Sequence, residues 1–464
     1  MNSPILSPAH SEDRQIEKRS ELGPLLLIGA CYLVAAAKFF IFINRYSVNL
    51  FFWDHWDFEN GPLFEHHSLW QIFRWQHGPP RLGVGALMSA LVDPFFHWSS
   101  RAQAFEAGIL VLLASFCGLW LKRRLWGRIE YVDAAIPFLF LVRNQAEAFI
   151  AGANIAHGPM PLLLVILYSV AWTLRSQRWK YSLVVILNFL LIYTGFGIFM
   201  GVVTPLLLTI ELLRAKGSGH SRTYPLLALI AALASLASFL SGYVFAPAVD
   251  CFAARPQNPL PYLWFIALML ANFAGIKGMG LVATVAGAVI ALAMLIAFGF
   301  AAKGVIARPS TSDPPESREG HYVVAALMAY ALLFCLNTAI GRICLGIDAG
   351  QASRYIPYLI LAFFALYLSI LEIRPSITRK LMLSGALVFA VWCGLHLNYM
   401  DWLIARNRAH DQRAWRECYL QRESVAECDA ITRTKIYPWP EATHLQEKLQ
   451  FLKQKHLNLY SDQK

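Results

Sequence analysis

Charge is the scarcest ingredient of this sequence. Only 15% of its 464 residues are charged, against roughly 25% in an ordinary soluble domain. That shortfall excludes a conventional soluble globular chain. Cysteine pairing motifs are also missing: the eight cysteines include no Cys-x-x-Cys, which removes the usual pattern for a zinc site. No stretch keeps the roughly ten-residue alternation of an outer-membrane barrel strand. No small-residue cleavage site follows the first apolar run, so that run is expected as a retained helix rather than a signal peptide.

What the chain has in abundance is apolar length. Hydrophobic residues make up 57%, mean hydropathy is +0.46, and long apolar runs recur from 24 to 398. The expected fold is an all-α polytopic membrane protein of about eleven transmembrane helices, N-terminus in and C-terminus out. The spans fall near 24–44, 103–122, 131–146, 158–174, 181–194, 196–213, 224–245, 279–302, 322–341, 356–372 and 381–398. Segment 261–276 is read as a surface or half-embedded helix, because every basic gap then falls on the inner side. Residues 1–23 form a cytoplasmic tail, 24–398 the membrane domain and 399–464 a short periplasmic tail. The net charge of +11 lies mostly in short gaps between apolar runs, where it orients helices and argues against a nucleic-acid partner.

The first outer loop, 45–102, is long and holds two apolar segments, 68–75 and 81–98, expected as helices at the membrane surface. In the tail, Cys418 and Cys428 are ten apart and suit a disulfide in an oxidising compartment. Residues 442–460 carry apolar side chains at helical spacing, so the end of the tail should pack.

Candidate chemistry begins at Phe51-Phe52-Trp53-Asp54-His55-Trp56-Asp57-Phe58-Glu59. Asp54 and Asp57 are three apart and share a face on a helical turn. Trp53, Trp56 and the phenylalanines would pin that turn at headgroup level, where a carboxylate can act on a lipid-linked sugar phosphate. The plainer alternative is a solvated acidic turn. His66-His67 do not suggest a metal, since adjacent side chains point apart. In His77-Gly78-Pro79-Pro80-Arg81 the prolines fix a rigid turn that projects His77 and Arg81 at the interface. Arg342, Arg354 and Tyr355 fall in a later outer loop, and guanidinium groups there suit a donor phosphate, unless they pair with Asp348. A polar loop running from Arg143 through Asn144, Glu147, Asn154 and His157 either lines a sugar or acceptor pocket, together with Glu59, or caps helices.

This arrangement resembles the membrane glycosyltransferases of the C superfamily. The likeness lies in an acidic pair after the first helix, a His-Pro-type turn, an apolar surface helix and Arg101 opening the second span. It is nearest to the protein O-mannosyltransferases and the lipid A aminoarabinose transferase. The Gly-Arg…Ser-Arg-Tyr loop is similar to that of a group of uncharacterised bacterial members. The resemblance implies a general base at the acidic motif, which falls on Asp54 or Asp57 because Asp-His-Trp-Asp stands here for the usual Asp-Glu. It implies a polyprenyl-phosphate-linked sugar donor, a glycan, lipid or protein acceptor, and the inner membrane with the site facing the periplasm. No cofactor is required by these residues, although the superfamily admits a divalent Mg or Mn. Two other functions suit the sequence: a lipid or polysaccharide transporter or flippase, and a polysaccharide polymerase or ligase that uses the arginines without an acidic base.

Overall fold

The computed structural model describes residues 9–150, 155–215, 221–247, 249, 251–252, 258–307, 315–441 and 444–461, and of these the side chains of all but 9–20, 215 and 315–317. Among the described residues there is no strand, only an isolated bridge between Gln76 and Arg81. The chain is a helical membrane protein. Among the described residues, seven helices are long and apolar enough to cross a bilayer.

In chain order the helices are α1 (Ala9–Tyr46), α2 (His55–Phe58), α3 (Leu69–Arg74), α4 (Gly83–Val92) and α5 (Ser100–Trp126). Then come α6 (Ala135–Phe140), α7 (Glu147–Ile150), α8 (Pro159–Trp172), α9 (Gln177–Ile192), α10 (Ile198–Ala215) and α11 (Thr223–Leu240). The later bundle holds α12 (Leu260–Phe273), α13 (Leu281–Ile306), α14 (Pro315–Arg342), α15 (Ile356–Glu372) and α16 (Ile377–Leu395). The tail contributes α17 (Tyr399–Arg422), α18 (Val425–Thr432) and α19 (Leu445–Lys455).

Burial separates inner from outer helices. The apolar window of α15 is 78% buried and that of α14 67%, whereas α13 is only 22% buried despite the highest hydropathy of the seven. A helix apolar all round with little protein around it faces lipid. At 27 residues, α5 is about 40 Å long and exceeds the roughly 30 Å hydrocarbon core. Its start is capped by Ser99 Oγ and its end by Gly127 at φ 74°, the left-handed stop that glycine supplies at no steric cost.

One expected element takes a different form, and a second takes one of the two forms expected of it. Where a span is expected over 131–146, the chain breaks into a 3₁₀ turn at Tyr131–Ala134, the six-residue α6 and another 3₁₀ turn at Arg143–Gln145. The reason is local. Gln145 Nε2 donates to the carbonyls of Phe140 and Val142 at 3.0 and 2.9 Å, ending the helix by supplying the partners its last carbonyls need. Segment 261–276 becomes α12, fourteen residues long and so about 21 Å. Of the two expected forms it takes the half-embedded one and not the surface one: it is too short for a full crossing, and Phe265, Leu268, Met269 and Phe273 are fully buried inside the bundle.

The tail is compositionally distinct but packs as part of the outer loop. Asn458, fully buried, donates to Trp98 O at 2.7 Å and Ser100 Oγ at 2.9 Å and accepts from Phe51 N at 3.3 Å. Its carbonyl accepts from Asn49 Nδ2 at 2.8 Å. Cys418 and Cys428 are disulfide-bonded, and a second bridge with no sequence signal joins Cys251 to Cys344.

Candidate functional site

The acidic turn is held from below by aromatics. Phe51, Phe52, Trp56 and Phe58 are buried, and Phe51 meets Trp56 edge-on at 5.3 Å. Only Trp53 stays substantially exposed, at 47%. The expectation that these rings sit among headgroups is therefore corrected for all but Trp53: they are core, packed against the outer loop's own helices. Trp53 itself has φ +54°, a left-handed conformation disfavoured for a bulky residue, and its N–H donates to Ile436 O at 2.8 Å. The tail thus holds the bend that presents Asp54 and Asp57.

The spacing of three brings both carboxylates to one side, and the proline turn brings His77 to meet them. Oxygens of Asp54 and Asp57 and a ring nitrogen of His77 all lie within 4.8 Å of one another. Gly78, at φ +59°, reverses the chain where an L side chain would be strained. His77 N–H donates to Pro80 O at 3.1 Å and its ring stacks on Trp75 at 5.4 Å. Two carboxylates and an imidazole form a donor set that suits Mg²⁺ or Mn²⁺ through the oxygens and softer divalent ions through the nitrogen.

Asp54 is exposed and Asp57 half-buried, and their surroundings differ. Burial pushes the Asp57 carboxyl above its ordinary range, with His77 and the Tyr437 hydroxyl pulling the other way. Tyr437 Oη donates to the two Asp57 oxygens at 3.0 and 3.1 Å. Asp57 and His77 border a cavity of about 390 Å³ whose wall also includes Asn60, Glu65, His67, Trp75 and Tyr437. Asp54 instead acts electrostatically on His157, Arg342 and Arg354. His157 is driven down to about 4 by burial first, and by His77, Arg354 and Arg342, against the opposing charge of Asp54. It is therefore a neutral imidazole at physiological pH.

The arginines divide. Arg354, exposed, lies 5.6 Å over the Tyr355 ring, and neither it nor Arg342 pairs with Asp348 among the described residues. Tyr355 is buried and braces Arg354 from beneath. Glu147 positions this loop: its Oε2 accepts from Ser353 Oγ at 3.0 Å and Arg354 N at 3.1 Å. Burial alone would raise the Glu147 carboxyl, yet Arg354 and these hydrogen bonds outweigh it and bring it below its usual value.

Three sequence candidates are turned away. Arg81, 3% exposed, spends its guanidinium on the carbonyls of Phe239, Arg74 and Ser241 at 3.0, 2.7 and 2.8 Å. It ties the end of α11 to α3 and does not face the carboxylates. Asn144 caps α12 through Asn272 O at 3.1 Å and Phe273 O at 2.9 Å. Glu59 does not line the cavity. It is fully buried under the turn, accepting from Ser89 Oγ at 3.0 Å and Gln103 Nε2 at 2.7 Å. Asp93 shares the same Ser89 and Gln103 partners. Burial and each other's charge hold Glu59 well above the carboxylate range, and burial lifts Asp93 to about 6. Asn154 lies outside the described residues.

Sequence reasoning missed Tyr437 and Trp75, and it named His157 only as part of a polar loop. No local signal marks Tyr437, which reaches Asp57 across 380 residues. No protein-family model matches the chain, and no curated protein matches it. The likeness to C-superfamily transferases rests on the motifs alone.

Proposed function

We propose that this protein is an inner-membrane glycosyltransferase that takes a sugar from a polyprenyl-phosphate donor and attaches it to an acceptor hydroxyl at the periplasmic face. The observation that carries this reading is the convergence of Asp54, Asp57 and His77 beside a polar cavity, with Arg342 and Arg354 acting on the same Asp54. An acid-base group and a phosphate-binding group are the two things such a transfer needs.

In this reading the acceptor hydroxyl enters the cavity against Asp57, whose basicity burial raises and which takes the hydroxyl proton. The acceptor oxygen forms a bond to the anomeric carbon as the bond from that carbon to the phosphate oxygen breaks. The proton goes to Asp57 and the electron pair leaves on the polyprenyl phosphate, where Arg354 and Arg342 stabilise the charge. Asp54 lies between these regions, placed to offset positive charge on an oxocarbenium-like sugar. A Mg or Mn ion held by Asp54, Asp57 and His77 would supply electrostatic stabilisation. The acceptor is a glycan, lipid or protein hydroxyl.

The membrane arrangement belongs to the same proposal: N-terminus in and C-terminus out, with α8, α9, α10 and the broken 131–146 segment added to the seven long helices for about eleven crossings. The broken segment is long enough in run, since Arg143 Nη2 reaches Leu395 O at one end of α16 while Glu130 borders a cavity at its other end.

The test is release of polyprenyl phosphate from lipid-linked hexose and pentose donors by the purified protein, compared with Asp57→Asn and Asp54→Asn. Full transfer by both variants ends the proposal. A proton-coupled lipid carrier is the second reading, favoured by the buried Glu59–Asp93 pair, because buried carboxyls often mark proton relays. Lipid flux in reconstituted vesicles, with no sugar transfer, would select it.

A further inference from the structure

At the end of the bundle away from the carboxylate turn lies a second cavity of about 360 Å³, bordered by Arg128, Glu130, Pro375, Ser376, Ile377, Arg379, Lys380 and Leu383. We propose that it binds the phosphate of an anionic phospholipid, with the acyl chains lying along the outer face of α16.

The charge balance comes first. Three cations border the cavity against one carboxylate, and that carboxylate is already engaged. Glu130 lies 2.7 Å from Arg128 and 3.7 Å from the buried Lys122. Arg379 and Lys380 make no ion pair among the described residues, and Arg379 Nε is buried without a hydrogen-bond partner. A buried guanidinium nitrogen left unpaired costs desolvation that a phosphate oxygen would recover.

The backbone adds to the same field. The cavity sits at the start of α16, a nineteen-residue helix whose Ser376 Oγ accepts from Arg379 N at 3.1 Å. The positive end of the helix dipole reinforces the two side chains.

The location selects a lipid over a free anion. Arg128 follows the end of α5, and the arginine-lysine pair opens α16, both membrane-crossing helices by length and composition. Ile377 and Leu381 are 78% and 68% exposed on that same first turn and a half. A soluble phosphate has no use for exposed isoleucine and leucine beside its cations, whereas a phospholipid's acyl chains do. Basic pockets between membrane helices are a recurrent lipid-headgroup geometry.

The experiment is native mass spectrometry of the full-length protein in detergent, offered equal amounts of phosphatidylglycerol and phosphatidylcholine. Wild type should retain phosphatidylglycerol preferentially, and the R379Q/K380Q variant should lose about thirtyfold of that preference. R379K/K380R, which keeps both charges, should retain most of it, and Leu381→Ser should weaken lipid retention. Thermal unfolding of each variant reports whether it is folded. Equal retention of the two lipids by wild type overturns the proposal, as does an unchanged preference in folded R379Q/K380Q. If millimolar inorganic phosphate displaces the lipid from wild type as readily as phosphatidylglycerol itself does, the site takes free anions and the lipid assignment fails.

Discussion

Tyr437→Phe isolates one hydrogen bond in the proposed mechanism. The hydroxyl donates to both oxygens of Asp57 at 3.0 and 3.1 Å, so it stabilises the ionised carboxylate and lowers a pKa that burial has raised. A hydrogen bond to a charged group contributes roughly 1.5–3 kcal/mol, and one pKa unit corresponds to about 1.4 kcal/mol. Asp57 is half-buried, and water will replace part of the lost donor, so about one unit is the expected rise. The sign follows from the role. Asp57 removes a proton only when ionised, so activity appears as pH rises through its pKa. Removing the hydroxyl should move the acid limb of the kcat/KM profile about one unit to higher pH, with the plateau rate above it little changed. The assay is initial-rate sugar transfer from a polyprenyl-phosphate donor across the pH range. A uniform loss of rate with an unmoved acid limb would show that Tyr437 only holds the tail in place. An unmoved limb with full activity would remove Asp57 from the role of base.

Other consequences can be measured on the same protein. Arg354→Gln should raise the donor KM about ten- to a hundredfold, the worth of one charge-assisted phosphate contact, with a smaller effect on acceptor KM. Equal effects on both substrates would place Arg354 outside the donor site. Glu59 and Asp93 have raised pKa values, so their protonated forms favour the fold. That stability is fully present below about pH 4 and is lost as pH rises through about 6 for Asp93. Glu59→Gln should therefore flatten the fall in unfolding midpoint as pH rises from about 4, relative to wild type, as read by scanning fluorimetry. A parallel curve would show that Glu59 does not share in the titration. Asn458→Ala removes two donated bonds and one accepted bond from a fully buried side chain. It should cost about 2–4 kcal/mol and make the tail sensitive to limited proteolysis. Unchanged proteolysis would mean that the tail is held elsewhere.

The long lipid-facing helices were legible because apolar length alone specifies them. A run such as α13 has no other stable use. The site was legible only in part. Asp54, Asp57 and His77 meet because i, i+3 spacing and a proline-glycine turn act over a few residues, where sequence patterns carry geometry. Arg81 and Arg354 look equivalent as sequence, each an arginine expected near the outer surface. They part because α11 ends beside Arg81 and offers it two carbonyls, those of Phe239 and Ser241, a contact between segments about 160 residues apart. Glu59 looked available because it follows Asp57 by two. Two positions on a helical turn face different ways, and that step turns Glu59 inward toward Ser89 and Gln103. The break at 140–145 was hidden because its cause is one glutamine folding back on its own helix end, in a segment whose hydropathy otherwise reads as a span.

The tail changes what counts as the site. Among the contacts that join it to the acidic turn and its loop, Ile436 O takes the Trp53 N–H, Tyr437 holds Asp57, and Asn458 ties down Phe51, Trp98 and Ser100. The first of these bears on Trp53, whose left-handed backbone costs on the order of 1–3 kcal/mol and persists only where its surroundings enforce it. Without the tail that bend has no acceptor for its N–H, and Asp57 loses its hydroxyl donor. The membrane bundle supplies Arg342 and Arg354, but the geometry of the carboxylates is fixed from the polar side. A chain whose apolar helices were all intact could therefore still lack a formed site, and the polar tail after α16 is part of the functional unit.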